Sequence, residues 1–219
     1  GPMSEAVKNL VNNDLADVMF NRHSVRQFDP NVKIGRDELQ KMIAEAATAP
    51  SACNLQSWHF VVVDTPEAKA KFKQAVMKFN YPQVDSASAI VFIAGDTQSH
   101  YVYRDVWNKV YEDGNITKER LDQILGTFLP LYENATPDFL KFDATIDCSV
   151  VGMQLLLVAR AHGYDANAFS GIDFEKMIPT LGLDPKRYVP VMGIAIGKAA
   201  QEPLHTTRYD AKTQTDFLA

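Results

Sequence analysis

The chain has 219 residues, 46% of them hydrophobic and 22% charged, which is typical of a soluble globular protein and excludes a disordered one. Its formal net charge of -5 at pH 7 excludes an overall attraction to nucleic acid or anionic lipid, so any basic cluster must serve a local purpose. This length is enough for one large domain or two small ones.

The compartment and the domain boundaries follow from a few features. Two distant cysteines and the lack of a segment resembling a secretory signal favour a reduced, cytoplasmic location. The most apolar stretch, 150–159, is shorter than the roughly 18 to 20 residues that span a bilayer, so no membrane segment is expected. Gly1 and Pro2 resemble an expression-tag remnant and are set aside. The rest of the chain, 3–219, is expected to form a single domain.

The first half of the chain alternates helical and strand patterns. Apolar residues at helical spacing predict helices over 4–20 and 37–48. WHFVVV at 58–63 predicts a buried strand. Thr65 and Pro66 then predict a helix start, because threonine caps a first turn and proline suits the first helical position.

An unbroken apolar run, AIVFIAGD at 89–96, predicts a strand that is covered on both faces. The following segment, 97–142, is expected to form an inserted lid that is helical to about Pro130 and looser over LYENATPDFL. Its aromatic residues either line a substrate channel or pack the lid against the body or a partner, and packing is the favoured interpretation. They are Tyr101, Tyr103, Trp107, Phe128 and Tyr132.

The strongest helical pattern covers 143–161 and is ended by Gly163. A short strand near 166–169, a helix over 173–181 and a strand over 188–197 follow. No internal repeat or linker interrupts the chain. The elements therefore predict an α+β fold in one domain.

The stretch RHSVRQF begins at Arg22 and concentrates positive charge. In an extended chain, alternation puts Arg22, Ser24 and Arg26 on one face and His23 and Val25 on the other. Guanidinium groups and a hydroxyl suit a small anion such as phosphate. A solvated charged stretch is the alternative.

A second stretch, APSACNLQSWHF at 49–60, leads from a helix end at Pro50 to a strand at Trp58. The amides of Asn54 and Gln56 offer donors and acceptors, which suits recognition of a heterocycle. The alternative is an ordinary helix-to-strand loop that Pro50 stiffens and Trp58 anchors.

Together, the two stretches resemble the opening of the FMN-dependent nitroreductase family. The resemblance continues through AFSGID at 168–173 and GIAIGKA at 193–199 to the late Arg208. It implies a nitroreductase-like fold with a central mixed β-sheet flanked by helices. It also implies an intertwined homodimer with FMN at the interface.

The resemblance also implies which residues bind the cofactor. Arg22, Ser24 and Arg208 would hold the FMN phosphate and ribityl region. Arg26 would approach flavin N1 and the C2 carbonyl, where a fixed cation stabilises the charge of the reduced ring. The full set that the resemblance implies is Arg22, His23, Ser24, Arg26, Pro50, Ser51, Ala52, Asn54, Asn80, Gln83, Ser170, Gly171, Lys198 and Arg208.

Several of these positions have distinct expected places. Pro50, Ser51 and Asn54 match family positions that reach the flavin from the partner subunit. The turn at 170–171 matches the one whose backbone N–H groups point at flavin N5. Asn80 and Gln83 are expected at the pyrimidine edge of the ring, on a loose local match.

The histidines show no metal-ligand spacing, so no metal site is expected. No G-x-G-x-x-G segment follows a strand, which argues against a separate nicotinamide domain. The resemblance instead implies that NAD(P)H and substrate use the same flavin face in turn. Cys53 is expected to be a small filler rather than a redox group, and Cys148 a core residue.

The leading hypothesis is a homodimeric FMN-dependent oxidoreductase that takes hydride from NAD(P)H and reduces nitroaromatics, quinones or related electrophiles by a ping-pong mechanism at flavin N5. No side chain is assigned as catalytic, since the flavin carries the chemistry. One alternative is a family member specialised as an ene-reductase, dehalogenase or oxidase. Others are a flavin storage or delivery protein without turnover, and an α/β interaction module without a cofactor.

Overall fold

A four-stranded antiparallel sheet with the order β1-β2-β4-β3 forms the centre of the molecule. The structure is a computed structural model that describes residues 10–219. The strands are β1 (Trp58–Val63), β2 (Ala89–Asp96), β3 (Asp165–Phe169) and β4 (Tyr188–Gly197). The helices are α1 (Leu15–Phe20), α2 (Arg36–Ala46), α3 (Pro66–Lys73), α4 (Tyr81–Ser86), α5 (Ser99–Glu112), α6 (Lys118–Glu133), α7 (Pro137–Ala161) and α8 (Phe174–Thr180).

Helices cover both faces of the sheet. Val91 and Ile93 of β2 pack with α2 and α7, whereas Ile90 and Phe92 pack with α3, α4 and α8. Successive side chains of a strand point to opposite faces, so β2 must be apolar at every position. All eight of its residues are buried, which confirms the strand predicted over 89–96.

The strand directions differ from the expected mixed sheet. β2 and β3 run in the same direction, but β4 lies between them and runs opposite to both. No two neighbouring strands are therefore parallel among the described residues. The one parallel pairing there is an isolated bridge between Ser24 and Ala166.

Helix α7 is longer than the pattern over 143–161 predicted. Thr136 caps it by accepting a hydrogen bond from the Phe139 N–H, and Pro137 takes the first position. With α6 running to Glu133, only three residues of the expected loose segment separate the two helices. Local capping therefore moved the helix start six residues upstream.

Helix α7 also corrects the expectation that no apolar segment is long enough to span a membrane. It has the length and composition of a membrane span, with a mean hydropathy of 1.5 over its most apolar window. That window is 44% buried, however, and Cys148, Val151 and Leu155 pack in the core against the sheet. The pattern is that of a core helix.

Within the described residues, only part of the helix predicted over 4–20 is helical, namely 15–20 and not 10–14. Residues 4–9 of the predicted helix lie outside the described part of the chain. Asp14 caps α1 by accepting from the Asp17 N–H, and Asn12 accepts from the Asp14 N–H. Such side-chain bonds to the backbone compete with helix formation, so α1 begins only at Leu15.

The remaining sequence predictions hold closely. β1 covers 58–63 as predicted, and Thr65 caps α3 with Pro66 in its first turn. In the segment 97–142, Tyr103 packs on Phe128 with ring centroids 5.1 Å apart, and so joins α5 to α6. This contact lies within the 97–142 segment, so the packing of that segment against the body or a partner stays a prediction.

Candidate functional site

The basic strip, residues 22–28, lies along the free edge of strand β3. Ser24 bridges to Ala166 and the Val25 N–H donates to the Ala166 carbonyl at 3.1 Å. Val25 and Phe28 are buried, whereas Ser24 and Arg26 are exposed. The extended backbone therefore turns one face of the strip outward, as the alternation predicted.

The basic strip keeps its charge without a carboxylate partner in the described part of the chain. Among residues 10–219, neither Arg22 nor Arg26 forms an ion pair. The buried Nδ1 of His23 also has no hydrogen-bond partner among these residues. Two guanidiniums without a carboxylate partner can hold an anion bidentately.

A cleft of about 250 Å³ opens beside the basic strip. Ser24, Arg26 and Gln27 line one side, and a C-terminal segment at 201–204 lines the other. Glu202 is part of that second side, so the cleft is not uniformly positive.

Strand β3 links the basic strip to a cluster of buried amides. Gln83 Nε2 donates to Asn80 Oδ1 at 2.8 Å and lies 3.4 Å from Asn167 Oδ1. Asn80 Nδ2 donates to the Gly171 carbonyl at 3.1 Å. Gln83 is 1% exposed, yet its Oε1 has no partner in the described chain. A buried acceptor without a partner is costly unless a ligand satisfies it.

Gly171 is closely surrounded at the end of this strand. A Cβ built on it would lie 2.7 Å from Cζ of Phe79 and would overlap the Asn80 amide. Only glycine fits there without displacing these side chains. Phe79 is itself 72% exposed and stands beside the turn.

Sequence reasoning missed two members of this group, Phe79 and Asn167. Phe79 directly precedes Asn80, but an exposed aromatic cannot be recognised from one sequence. Asn167 is 3% exposed and lies between two alanines, Ala166 and Ala168, in β3. A polar residue at such a position was the available signal.

The 50–57 loop has an unusual backbone. Cys53, Asn54 and Gln56 have φ values of 52°, 54° and 51°, in the left-handed region. Ser51 Oγ accepts from the Gln56 N–H at 2.9 Å and braces the loop from within. Strained residues of this kind cluster at functional sites.

A polar group lies behind this loop. The Tyr132 hydroxyl donates to Asp143 at 2.8 Å and lies 4.0 Å from Cys53 Sγ. Burial, together with the Asp143 carboxylate, raises the pKa of Tyr132. Cys53 is exposed, while Cys148 is fully buried as predicted, and burial raises the pKa of its thiol.

The structure brings together some of the predicted site residues and not others. The Asp29 N–H donates to the Lys198 carbonyl at 2.8 Å, which places Lys198 beside the basic strip. Arg208 is exposed and bonds only to its neighbours Thr206 and Thr207 among the described residues. Its predicted place beside Arg22 at the FMN phosphate stays a prediction.

The 50–57 loop is likewise separate from the basic strip. Within residues 10–219, no hydrogen bond joins the loop to residues 22–26. The loop is instead bonded to α7 through Asp147. The two parts of the predicted site therefore share no direct hydrogen bond among the described residues.

Known proteins match both the sequence and the fold. The model of the Nitroreductase family matches residues 19–198. "Putative NAD(P)H nitroreductase YdgI" of Bacillus subtilis is 40% identical over 205 residues, which cover 94% of this chain and 98% of that protein.

Two solved structures have the same fold. A putative NAD(P)H:FMN oxidoreductase from Staphylococcus epidermidis is 38% identical, with a TM-score of 0.87 over 94% of this chain and 97% of that one. A putative nitroreductase in complex with FMN from Exiguobacterium sibiricum is 35% identical, with a TM-score of 0.86 over 94% of this chain and 98% of that one. By sequence and by fold, the chain belongs to the nitroreductase family.

Proposed function

We propose that this protein is an FMN-dependent oxidoreductase that takes hydride from NAD(P)H and passes it to nitroaromatics, quinones or related electrophiles in a ping-pong cycle. The observation that carries the proposal is the basic strip. Its two arginines form no ion pair within residues 10–219, and it lies beside β3, the strand that leads into the turn at Gly171. The FMN in the Exiguobacterium relative supports this choice of cofactor.

The outward face of the basic strip fits the phosphate and ribityl end of FMN. Arg22 would bind the phosphate through its planar fork, and the Ser24 hydroxyl would donate a hydrogen bond beside it. His23, with an unpartnered Nδ1, and Lys198 are close enough in the fold to complete this group. Arg208, on the exposed C-terminal segment, would add a second guanidinium to this group.

The buried amides fit the heterocyclic end. Gln83 Oε1 needs a donor, and the flavin pyrimidine edge carries one. Asn80 holds the carbonyl of Gly171 and so fixes the turn formed with Ser170. FMN supplies hydride acceptance and donation at N5 when bound, and the turn would orient that atom. Arg26 would place a fixed cation near the N1 side.

We further propose a homodimer in which Pro50, Ser51, Ala52 and Asn54 reach the flavin of the partner subunit. The separation of the 50–57 loop from the basic strip supports this arrangement. So does an open apolar cleft of about 560 Å³ along α7, lined by side chains such as Ile146, Val150 and Met153. A second copy of the chain would cover this face and bring the two parts together.

We also propose that residues 3–219 act as one domain, with 97–142 shaping the substrate pocket as a lid. Tyr101 on α5 is partly exposed and sits against the buried His100 ring, so the lid offers aromatic surface to a planar electrophile. Both cysteines are free thiols, which suits the proposed cytoplasmic location.

An anaerobic absorbance spectrum from 300 to 600 nm tests the function. We expect purified protein to show flavin bands that bleach on addition of NADH or NADPH and return when a quinone or nitroaromatic is added. Flavin bands that never bleach would contradict turnover and favour a storage protein. A colourless protein that takes up no added FMN would overturn the proposal altogether.

A further inference from the structure

The buried carboxylate of Asp147 closes the 50–57 loop at both ends. Asp147 lies on α7 and is 1% exposed. Its Oδ1 accepts from the Ala52 N–H at 3.1 Å and its Oδ2 accepts from the Ser57 N–H at 3.3 Å. Among residues 10–219 it forms no ion pair. A buried charge retained without a cation indicates a specific task.

The segment between these two bonds is the strained part of the loop. Cys53, Asn54 and Gln56 all have φ near +50°, which side chains other than glycine rarely adopt. Such a conformation persists only where the surroundings fix it. The Asp147 carboxylate supplies this constraint by holding the backbone on either side.

The two ends of the loop depend on Asp147 to different degrees. Ser57 is also bonded to Ser99 through their hydroxyls at 2.6 Å, and its carbonyl accepts from the Asp96 N–H at 3.0 Å. The Ala52 N–H has Asp147 as its partner. The loop entrance, where Ser51 and Asn54 lie, therefore depends most on the carboxylate.

We propose that Asp147 is a positioning residue for the flavin: its buried carboxylate holds the 50–57 loop in the shape that lets Ser51 and Asn54 contact FMN. This inference rests on the proposed function. It adds a residue that touches neither cofactor nor substrate, and that acts through the backbone of the loop.

The surroundings of Asp147 make its role depend on pH. Asp143 lies one turn earlier on α7 and is hydrogen-bonded by Tyr132 from α6. Ser57 and Ser99 contribute hydroxyls, and the next residue of α7, Cys148, contributes a buried thiol. Burial raises the pKa of Asp147, and the negative charge of Asp143 raises it further. Protonation removes an acceptor from one of the two bonds. FMN retention should therefore weaken as pH falls through that pKa.

Asp147→Asn and Asp147→Ala test the proposal, with Thr65→Ala as a matched control. Thr65 caps α3, and its loss lowers stability without touching the loop. FMN-loaded protein is diluted and the fluorescence of released FMN gives the dissociation constant. We expect the dissociation constant for FMN to rise about tenfold in Asp147→Asn, and further in Asp147→Ala, because a hydrogen bond to a charged group is lost. In Thr65→Ala it should not change.

Two further measurements separate positioning from a general loss of stability. Hydrogen exchange on the purified protein should become faster at the Ala52 amide in Asp147→Asn while the β2 amides stay protected. FMN retention should fall at low pH in the parent and should not show this fall in the Asp147→Asn variant. The pH profile of the parent alone already tests the pH dependence, because it needs no substitution. Equal FMN retention and an equal pH profile in parent and variants would overturn the role of Asp147 alone. A parent that never binds FMN would instead overturn the proposed function.

Discussion

Arg22 and Arg26 stand four positions apart on one extended strip, and the proposed site gives them different roles. Arg26 is exposed and Arg22 is half-buried, and Val25 between them is buried. In the proposed site, Arg22 would meet the phosphate charge that FMN always carries. Arg26 would meet the charge that the flavin ring gains on reduction.

Replacing Arg22 by alanine should mainly weaken FMN retention. A charge-assisted contact to phosphate contributes about 2 kcal/mol, which corresponds to roughly a 30-fold higher dissociation constant. Fluorescence titration with FMN measures this dissociation constant. Arg36→Ala is the matched control, since Arg36 pairs with Asp64 at the start of α2. Equal affinity in Arg22→Ala and the parent would remove Arg22 from the site.

Replacing Arg26 by alanine should leave the cofactor bound but lower its reduction potential. Without a cation near N1, the reduced ring loses stabilisation, so reduction by NAD(P)H becomes slower. Potentiometric titration and anaerobic stopped-flow reduction of FMN-loaded protein measure both effects. A variant that keeps the parent potential and rate would show that Arg26 does not approach the ring.

At the scale of elements, helix α2 is joined to the end of α7 by a buried histidine. His162 Nδ1 lies 3.0 Å from Glu38 and Nε2 lies 2.5 Å from Glu45. The Tyr164 hydroxyl donates to Glu38 at 2.5 Å. Burial acts to raise the pKa of Glu38, but hydrogen bonds from Tyr164 and His162 outweigh it and lower the pKa below its ordinary 4.5. Burial and Glu38 raise the pKa of Tyr164 to about 12.

The contribution of Glu38 to stability should therefore depend on pH in a defined sense. A carboxyl whose folded pKa is lowered stabilises the protein above its unfolded pKa and loses that effect as pH falls through the folded value. Glu38→Gln should unfold at lower urea concentration than the parent at pH 7, and the difference should shrink below pH 4.5. Glu112→Gln, on the exposed end of α5, serves as the control. A difference that is constant with pH would show that the charge of Glu38 plays no part.

The elements that the sequence predicted well are those with local signals. β1 and β2 are marked by unbroken apolar runs, and α3 by Thr65 and Pro66. The starts of α1 and α7 depend on side-chain caps at Asp14 and Thr136, which periodicity does not register. The antiparallel sheet depends on β4 entering between β2 and β3, which is a property of the whole chain.

The candidate site divides in the same way. The basic strip, the loop residues and Gly171 were predicted because they form short motifs. Asp147 was not, since in sequence it is one acidic residue in an apolar helix. Its position on the buried face, three residues from Ala144 and four from Val151, was the available signal. What it bonds could be learned only from the fold.

At the scale of the whole molecule, residues 10–219 leave apolar side chains exposed along α7 and α1. They are Phe142, Ile146, Val150, Met153, Leu15 and Met19. Monomeric proteins rarely expose so much contiguous apolar surface. This surface supports the proposed homodimer.

Placing a charge in this surface should separate the subunits. Ile146→Glu should elute as a monomer and lose FMN, because the 50–57 loop of the partner would no longer reach the flavin. Light scattering with in-line absorbance at 450 nm reads both mass and cofactor. Val102→Glu puts the same charge on an exposed apolar position of α5 and should remain a dimer. A monomeric Ile146→Glu that retains FMN would place the whole cofactor site in one chain.

The position of β4 in the sheet has a consequence for biosynthesis. The ribosome makes β1, β2 and β3 first, yet β2 and β3 never pair with each other and share only β4 as a neighbour. Until residues 188–197 emerge, a nascent chain carries two strands with open hydrogen-bonding edges, a state that invites aggregation. The sheet is thus completed only by one of the last segments to be translated. Chaperone protection late in synthesis would matter more for this chain than for one whose strands pair in the order in which they are made.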